Sequence, residues 1–162
     1  MPFVFSSETQ SAILPVMQPD ILHSIQLQAI EEGYKVKEEF HVTVLPANSN
    51  EILAGEQVDL VESLLENTVV DDITIEDTVF YVTKDKIVDE VSYKRESLIV
   101  GIQSKQLNKL LGQLAVITQR GKLPFLHITL FTRGESPYAQ RGIGIESIED
   151  FEAMQPQAYI LS

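Results

Sequence analysis

"FHVTVL", residues 40–45, and "LHITLF", residues 126–131, decide how this chain is read. Each sets histidine, one apolar residue and threonine inside an apolar run. On a strand, residues i and i+2 share a face about 6.8 Å apart, so His41 projects with Thr43, and His127 with Thr129. Val42 and Ile128 between them face the other way, into a core. With nine threonines in 162 residues, two of three histidines would meet threonine two places on by chance roughly 1% of the time. The third, His23, has Ile25 at that position and lies in a helical pattern, where a structural role is expected.

Outward from the motifs, the chain alternates strand and helix signals. "FVF", residues 3–5, is a short strand candidate, followed by a polar stretch and a helix from Pro19 to about Glu32 that Gly33 ends. "YKVKEEFHVTVL", residues 34–45, is expected to be one strand carrying the first motif, stopped by Pro46. A second helix is predicted from about Asn50 to Glu66, on the stripe Leu53, Val58, Val61, Leu64 and Leu65. Residues 72–103 carry β signals, with turns expected near Glu76–Asp77 and Lys84–Lys86 and hence antiparallel hairpins. Ser104 caps a third helix that Gly121 is placed to end, and "PFLHITLFT", residues 124–132, is the second motif strand. Beyond the loop "RGESPYAQRG" come a strand candidate "IGIES", residues 143–147, a helical turn near "IEDFEAM" and a last apolar piece "AYIL". The order short strand, helix, glycine, His-x-Thr strand thus occurs in residues 3–45 and again in 97–131. These elements predict an α+β fold: residues 1–162 form a single domain of two pseudo-symmetric lobes, whose antiparallel sheets line a central cleft with helices outside.

Composition narrows the chemistry. There is no cysteine, so disulfides, thiolate catalysis and sulfur metal sites are excluded together. No apolar run approaches the roughly 20 residues needed to span a membrane, and a soluble, cytoplasmic protein without membrane partners is expected. A net charge of −12 disfavours long polyanions. The segment from Lys105 to Arg141 departs from that balance: Lys105, Lys109, Arg120, Lys122, Arg133 and Arg141 face one acid, Glu135. Two readings fit equally: an acidic chain simply keeps its few bases there, or the segment forms an anion site near the second motif.

Cleaving a P–O bond needs a base for the attacking oxygen and an acid for the departing one. Histidine, with an ordinary pKa of about 6.5, serves either role near neutrality. Threonine hydroxyls can donate to the non-bridging oxygens. His41 and His127 are thus candidate catalytic residues and Thr43 and Thr129 candidate phosphate-binding residues; this chemistry calls for no metal and no cofactor. On a regular strand Phe131 and Arg133 would share the face of His127 and Thr129, where Phe131 could stack a base and Arg133 grip a phosphate. Tyr138 and Arg141, in the following loop, are further candidates for substrate binding. Metal binding through His41 and His127 has little support, because only Glu38 and Glu39 lie near either motif.

With two His-x-Thr motifs 86 residues apart on strands of an α+β pattern, the chain resembles the 2H phosphoesterases. The resemblance spans most of the chain but rests on the motifs and the element order. It implies metal-independent cleavage or transfer at 2′,3′-cyclic phosphates or at 2′-5′ or cyclic oligonucleotide linkages, with His41, Thr43, His127 and Thr129 in the family's roles. Some relatives carry a basic residue just after the second motif; here Thr132 comes first and Arg133 next. The expected partner is a small nucleotide or oligonucleotide, with RNA ends and ligase-like chemistry as one alternative and a non-catalytic nucleotide-binding module as another.

Overall fold

The computed structural model describes residues 3–47, 52–134 and 142–162. Among them are four helices and two antiparallel sheets, a mixed α+β architecture. In chain order the elements are β1 (Val4–Ser6), β2 (Ser11–Val16), α1 (Ile21–Glu31), β3 (Lys35–Val36), β4 (Phe40–Leu45), α2 (Gly55–Glu66), β5 (Thr74–Val88), β6 (Val91–Gln103), α3 (Lys105–Thr118), β7 (His127–Gly134), α4 (Ile148–Ala153) and β8 (Gln157–Ala158). One sheet has the order β1-β2-β4 and the other β3-β7-β6-β5-β8.

The two motif strands are paired in the same way. His41 lies opposite Pro15 and Thr43 opposite Ile13 on β2, while His127 lies opposite Gly101 and Thr129 opposite Ile99 on β6. Every one of these residues is 86 positions from its counterpart. The irregularities correspond as well. After Thr43 the pairing jumps to Leu45 with Ala12, and after Thr129 to Phe131 with Leu98, so each motif strand carries one extra residue, Val44 or Leu130. Such a bulge turns the following side chain to the opposite face. Accordingly Val44, Leu45, Leu130 and Phe131 are all buried. Both intervening helices end in a left-handed residue, Gly33 at φ 90° and Gln119 at φ 56°, again 86 apart.

Several local expectations are corrected. The stretch after the first strand is not merely polar: Ser11–Val16 forms β2, whose Ala12 and Leu14 are buried. "YKVKEEFHVTVL" is two strands in different sheets, because β3 pairs with β7 (Lys35 with Thr132, Val36 with Phe131) before the chain crosses to β4. The Lys37 amide also donates to the Leu130 carbonyl at 3.0 Å. This switch ties the two sheets together beside the first histidine, and β4 and β7 run within 8 Å of each other. α3 stops at Thr118, before Gly121, since Gln119 takes the left-handed position. "IGIES" keeps its alternation, with Ile143 and Ile145 buried, but forms no strand. The start of the second helix expected at Asn50 lies outside the described residues; the helix begins at Gly55.

No turn occurs at Lys84–Lys86. Residues 74–103 form one long hairpin that reverses at Asp89 and Glu90, with φ 50° and 67°. A two-residue turn with both φ positive suits the twist of a hairpin, yet neither residue is the glycine or asparagine that would advertise it. Glu76–Asp77 falls in a bulge between the Ile75 and Val79 pairings.

One apolar core runs across both sheets, with Leu14 and Val42 from one, Leu98 and Ile128 from the other, and the α3 stripe Leu107, Leu110, Leu111 and Leu114. Full burial of each such leucine contributes about 1.5–3 kcal/mol. α3 is started by Ser104, whose Oγ accepts from the Leu107 amide at 2.9 Å and donates to Asp72. A smaller cluster on the opposite face of the second sheet joins Val82, Ile99, Ile143, Ile145 and Phe151.

Candidate functional site

Where the motif strands run side by side, a cleft of about 490 Å³ is lined by His41, Thr43, His127 and Thr129 together. All four are partly buried. The apolar neighbours Val42 and Ile128 are fully buried on the far side, which anchors each strand while its polar pair faces the cleft. Gly142 closes over the second pair: a Cβ there would sit 3.5 Å from Thr129 Oγ1. Gly144 and Glu146 continue this wall.

The two imidazoles are held differently. His127 Nδ1 is 2.7 Å from the Phe125 carbonyl oxygen, which can only accept. The ring therefore carries its proton on Nδ1 when neutral and keeps a lone pair on Nε2. Its face stacks on Phe125 at 5.8 Å, and Phe125 stacks on Phe151 at 4.3 Å. Burial pushes the His127 pKa down, and His41 adds to that, against the Phe125 carbonyl, which favours the charged form. His41 forms no ring hydrogen bond among the described residues. Its pKa is also lowered, first by burial and then by Lys37, with Glu39 opposing.

Phe131 does not reach the cleft. The bulge at Leu130 turns it into the core, where it is fully buried. Arg133 follows it to that face: its Nε and Nη2 donate to Glu96 at 3.0 and 2.8 Å, Nη1 donates to the Glu32 carbonyl, and the guanidinium lies 4.1 Å over the Tyr34 ring. Tyr81 closes the group by donating to Glu96 at 2.5 Å. These bonds hold the Glu96 carboxyl below its ordinary range although burial alone would raise it. Regular strand parity thus misplaces both residues. Tyr138 and Arg141 lie outside the described residues.

The positive charge of the cleft also comes from elsewhere than expected. Among the described residues its cationic lining is Lys37, Lys84 and Arg95, against the single carboxylate of Glu146. Lys105, Lys109, Arg120, Lys122 and Arg133 do not line it. Phe125, not Phe131, is its aromatic wall. A sequence signal for Phe125 exists, since it stands two residues before His127. Lys84 and Arg95 could be found only by setting the hairpin turn at residues 89–90, which makes them direct partners. No group of three or more His, Asp and Glu side chains placed to hold a metal ion occurs among the described residues.

No family model, no curated protein and no solved structure matches the chain. The functional reading therefore rests on the geometry of the cleft.

Proposed function

We propose that this protein is a metal-independent phosphodiesterase of the 2H type, two-lobed about its cleft, acting on 2′,3′-cyclic phosphates or on 2′-5′ or cyclic oligonucleotide linkages. The observation that carries the reading is the convergence of both His-x-Thr pairs on one cleft with three cations. A cleft of about 490 Å³ falls within the usual range for a small-molecule site, about 300–1,000 Å³. With a phosphorus between the imidazoles, one histidine takes a proton from water as its oxygen bonds to phosphorus. The other gives a proton to the ribose oxygen as its bond to phosphorus breaks, leaving a phosphomonoester and a free hydroxyl. Thr43 and Thr129 donate to the non-bridging oxygens, and Lys37, Lys84 and Arg95 supply a field of the right sign. Phe125 offers a face against which a base can stack. The matching register and bulges of the two halves support the pseudo-symmetric arrangement, because equivalent side chains then approach the phosphate from both sides.

The test is incubation of chelator-treated protein with nucleoside 2′,3′-cyclic phosphates, 2′-5′ linked oligonucleotides and cyclic dinucleotides, with the product phosphate located by phosphorus NMR. A monoester formed in the presence of EDTA is expected. Turnover only after addition of a divalent metal, or tight binding with no product, would overturn the reading, the latter in favour of a nucleotide-binding module.

A further inference from the structure

Lys84 and Arg95 stand directly opposite each other across the β5–β6 hairpin, so both side chains leave the same face. That face is the one toward the cleft, which both residues line. Two like charges in direct cross-strand register are unfavourable unless something negative lies between or above them. Among the described residues neither is paired with a carboxylate, and the buried Arg95 Nε has no hydrogen-bond partner. Ser97 Oγ, two residues along the same face of β6, is likewise buried without a partner. Buried polar atoms in a folded protein almost always find one. Arg95, unlike Ser97, lines the cleft, where its guanidinium can donate to acceptor oxygens.

The position of these cations relative to the motif side chains gives the ligand its size. Ile99 is opposite Thr129, and Arg95 is four residues further along β6, about 13 Å at the rise of an antiparallel strand. That backbone separation leaves room for a second phosphate beside one held between the histidines. Further out on the same face come Lys86 and Tyr93, also direct partners. A charged and aromatic track thus leads away from the histidines along a hairpin that, beyond the Arg95–Gly134 pair, has no third strand among the described residues.

We propose that Lys84 and Arg95 form a second anion subsite, which holds a phosphate neighbouring the reacting one and makes the preferred substrate a short oligonucleotide or a nucleotide with two phosphates. This rests on the phosphodiesterase reading for what happens at the histidines, but not for the binding itself. A chain of net charge −12 repels polyanions at long range, so a local subsite selects short ligands that fit within its field.

The experiment is calorimetric titration at low salt with two probes, adenosine 5′-monophosphate and adenosine 3′,5′-bisphosphate. Wild-type protein should bind the bisphosphate at least 30-fold more tightly. Arg95→Met with Lys84→Met should bring that ratio below about 3. Lys84→Gln, a change at an exposed position, should lower it severalfold and stands in if the double variant does not fold. Equal affinity for the two nucleotides, binding of neither, or a ratio unchanged in folded variants overturns the subsite. A preserved ratio in a protein that cleaves no cyclic phosphate would retire the phosphodiesterase reading and leave the subsite standing. Turnover with a ratio near one would do the reverse.

Discussion

The first motif strand and the second share register, bulge and helix terminus, yet their histidines live in different surroundings. His127 is locked from behind by the Phe125 carbonyl and by a stack of two phenylalanine rings. His41 has Lys37 and Glu39 beside it and no comparable lock among the described residues. The difference teaches that a repeated backbone can present equivalent atoms while each half tunes its own group. A second contrast lies on the two faces of β7. His127 and Thr129 look into the cleft, whereas Phe131 and Arg133, after one extra residue, serve the core and an ion pair.

The strongest way to break the symmetry of the halves is to remove either imidazole. His41→Ala and His127→Ala should each lower kcat/KM on a cyclic-phosphate substrate by about 10³-fold or more, and the double variant should be hardly worse than either. Steady-state kinetics with circular dichroism as a fold control checks this. An asymmetric result, one variant nearly fully active, would sink the shared-role picture.

The two faces of β7 can be separated by stability. Phe131→Ala should destabilise the fold by about 3–5 kcal/mol, as expected for a fully buried aromatic, measured by urea unfolding. A variant that stays as stable as the wild type and loses only substrate affinity would restore Phe131 to the cleft. Thr129→Val keeps volume and removes one hydroxyl; it should cost about 10²-fold in kcat with little change in midpoint. Thr43→Val should behave alike if the halves are equivalent. Arg133→Met, which leaves Glu96 with only the more distant Lys94 as an ion-pair partner and uncovers Tyr34, should cost about 2 kcal/mol of stability and less than threefold in kcat.

The smallest effect is in the pH dependence. Both histidines have folded pKa values below 6.5. The required pair, one neutral and one protonated, is therefore most populated on the acid side of 6.5, and kcat/KM should rise as pH falls from 8 towards that optimum and then decline. Stability follows from the same shifts. Below pH 6.5 the unfolded chain binds protons before the folded one, so the fold weakens as pH falls from there through the folded values. His127→Gln should flatten that decline in thermal melts recorded between pH 7 and 5, and an unchanged slope would place the effect in other groups.

Much of the candidate site was legible beforehand, because the pairing of histidine with threonine two places on is a local signal. The bulges left a local trace as well: each threonine is followed by two consecutive apolar residues, Val44–Leu45 and Leu130–Phe131, which breaks strict alternation. Reading that break would have sent Phe131 and Arg133 to the far face. The long hairpin was less legible, since its turn uses Asp89 and Glu90 in place of glycine and shifts every cross-strand partner when misplaced.

By itself the amino-acid sequence determined the apolar stripes, the Ser104 start of α3 and the two polar pairs, because periodicity and capping act over a few residues. Which edges meet was decided only in the folded chain. The crossing of residues 35–40 from one sheet to the other, the register that sets Lys84 against Arg95, and the bulge that turns Phe131 inward all depend on partners far away in the chain. Backbone hydrogen bonds are the same for every residue, so no local pattern names the strand that will satisfy them, and the balance of burial over the whole molecule makes that choice.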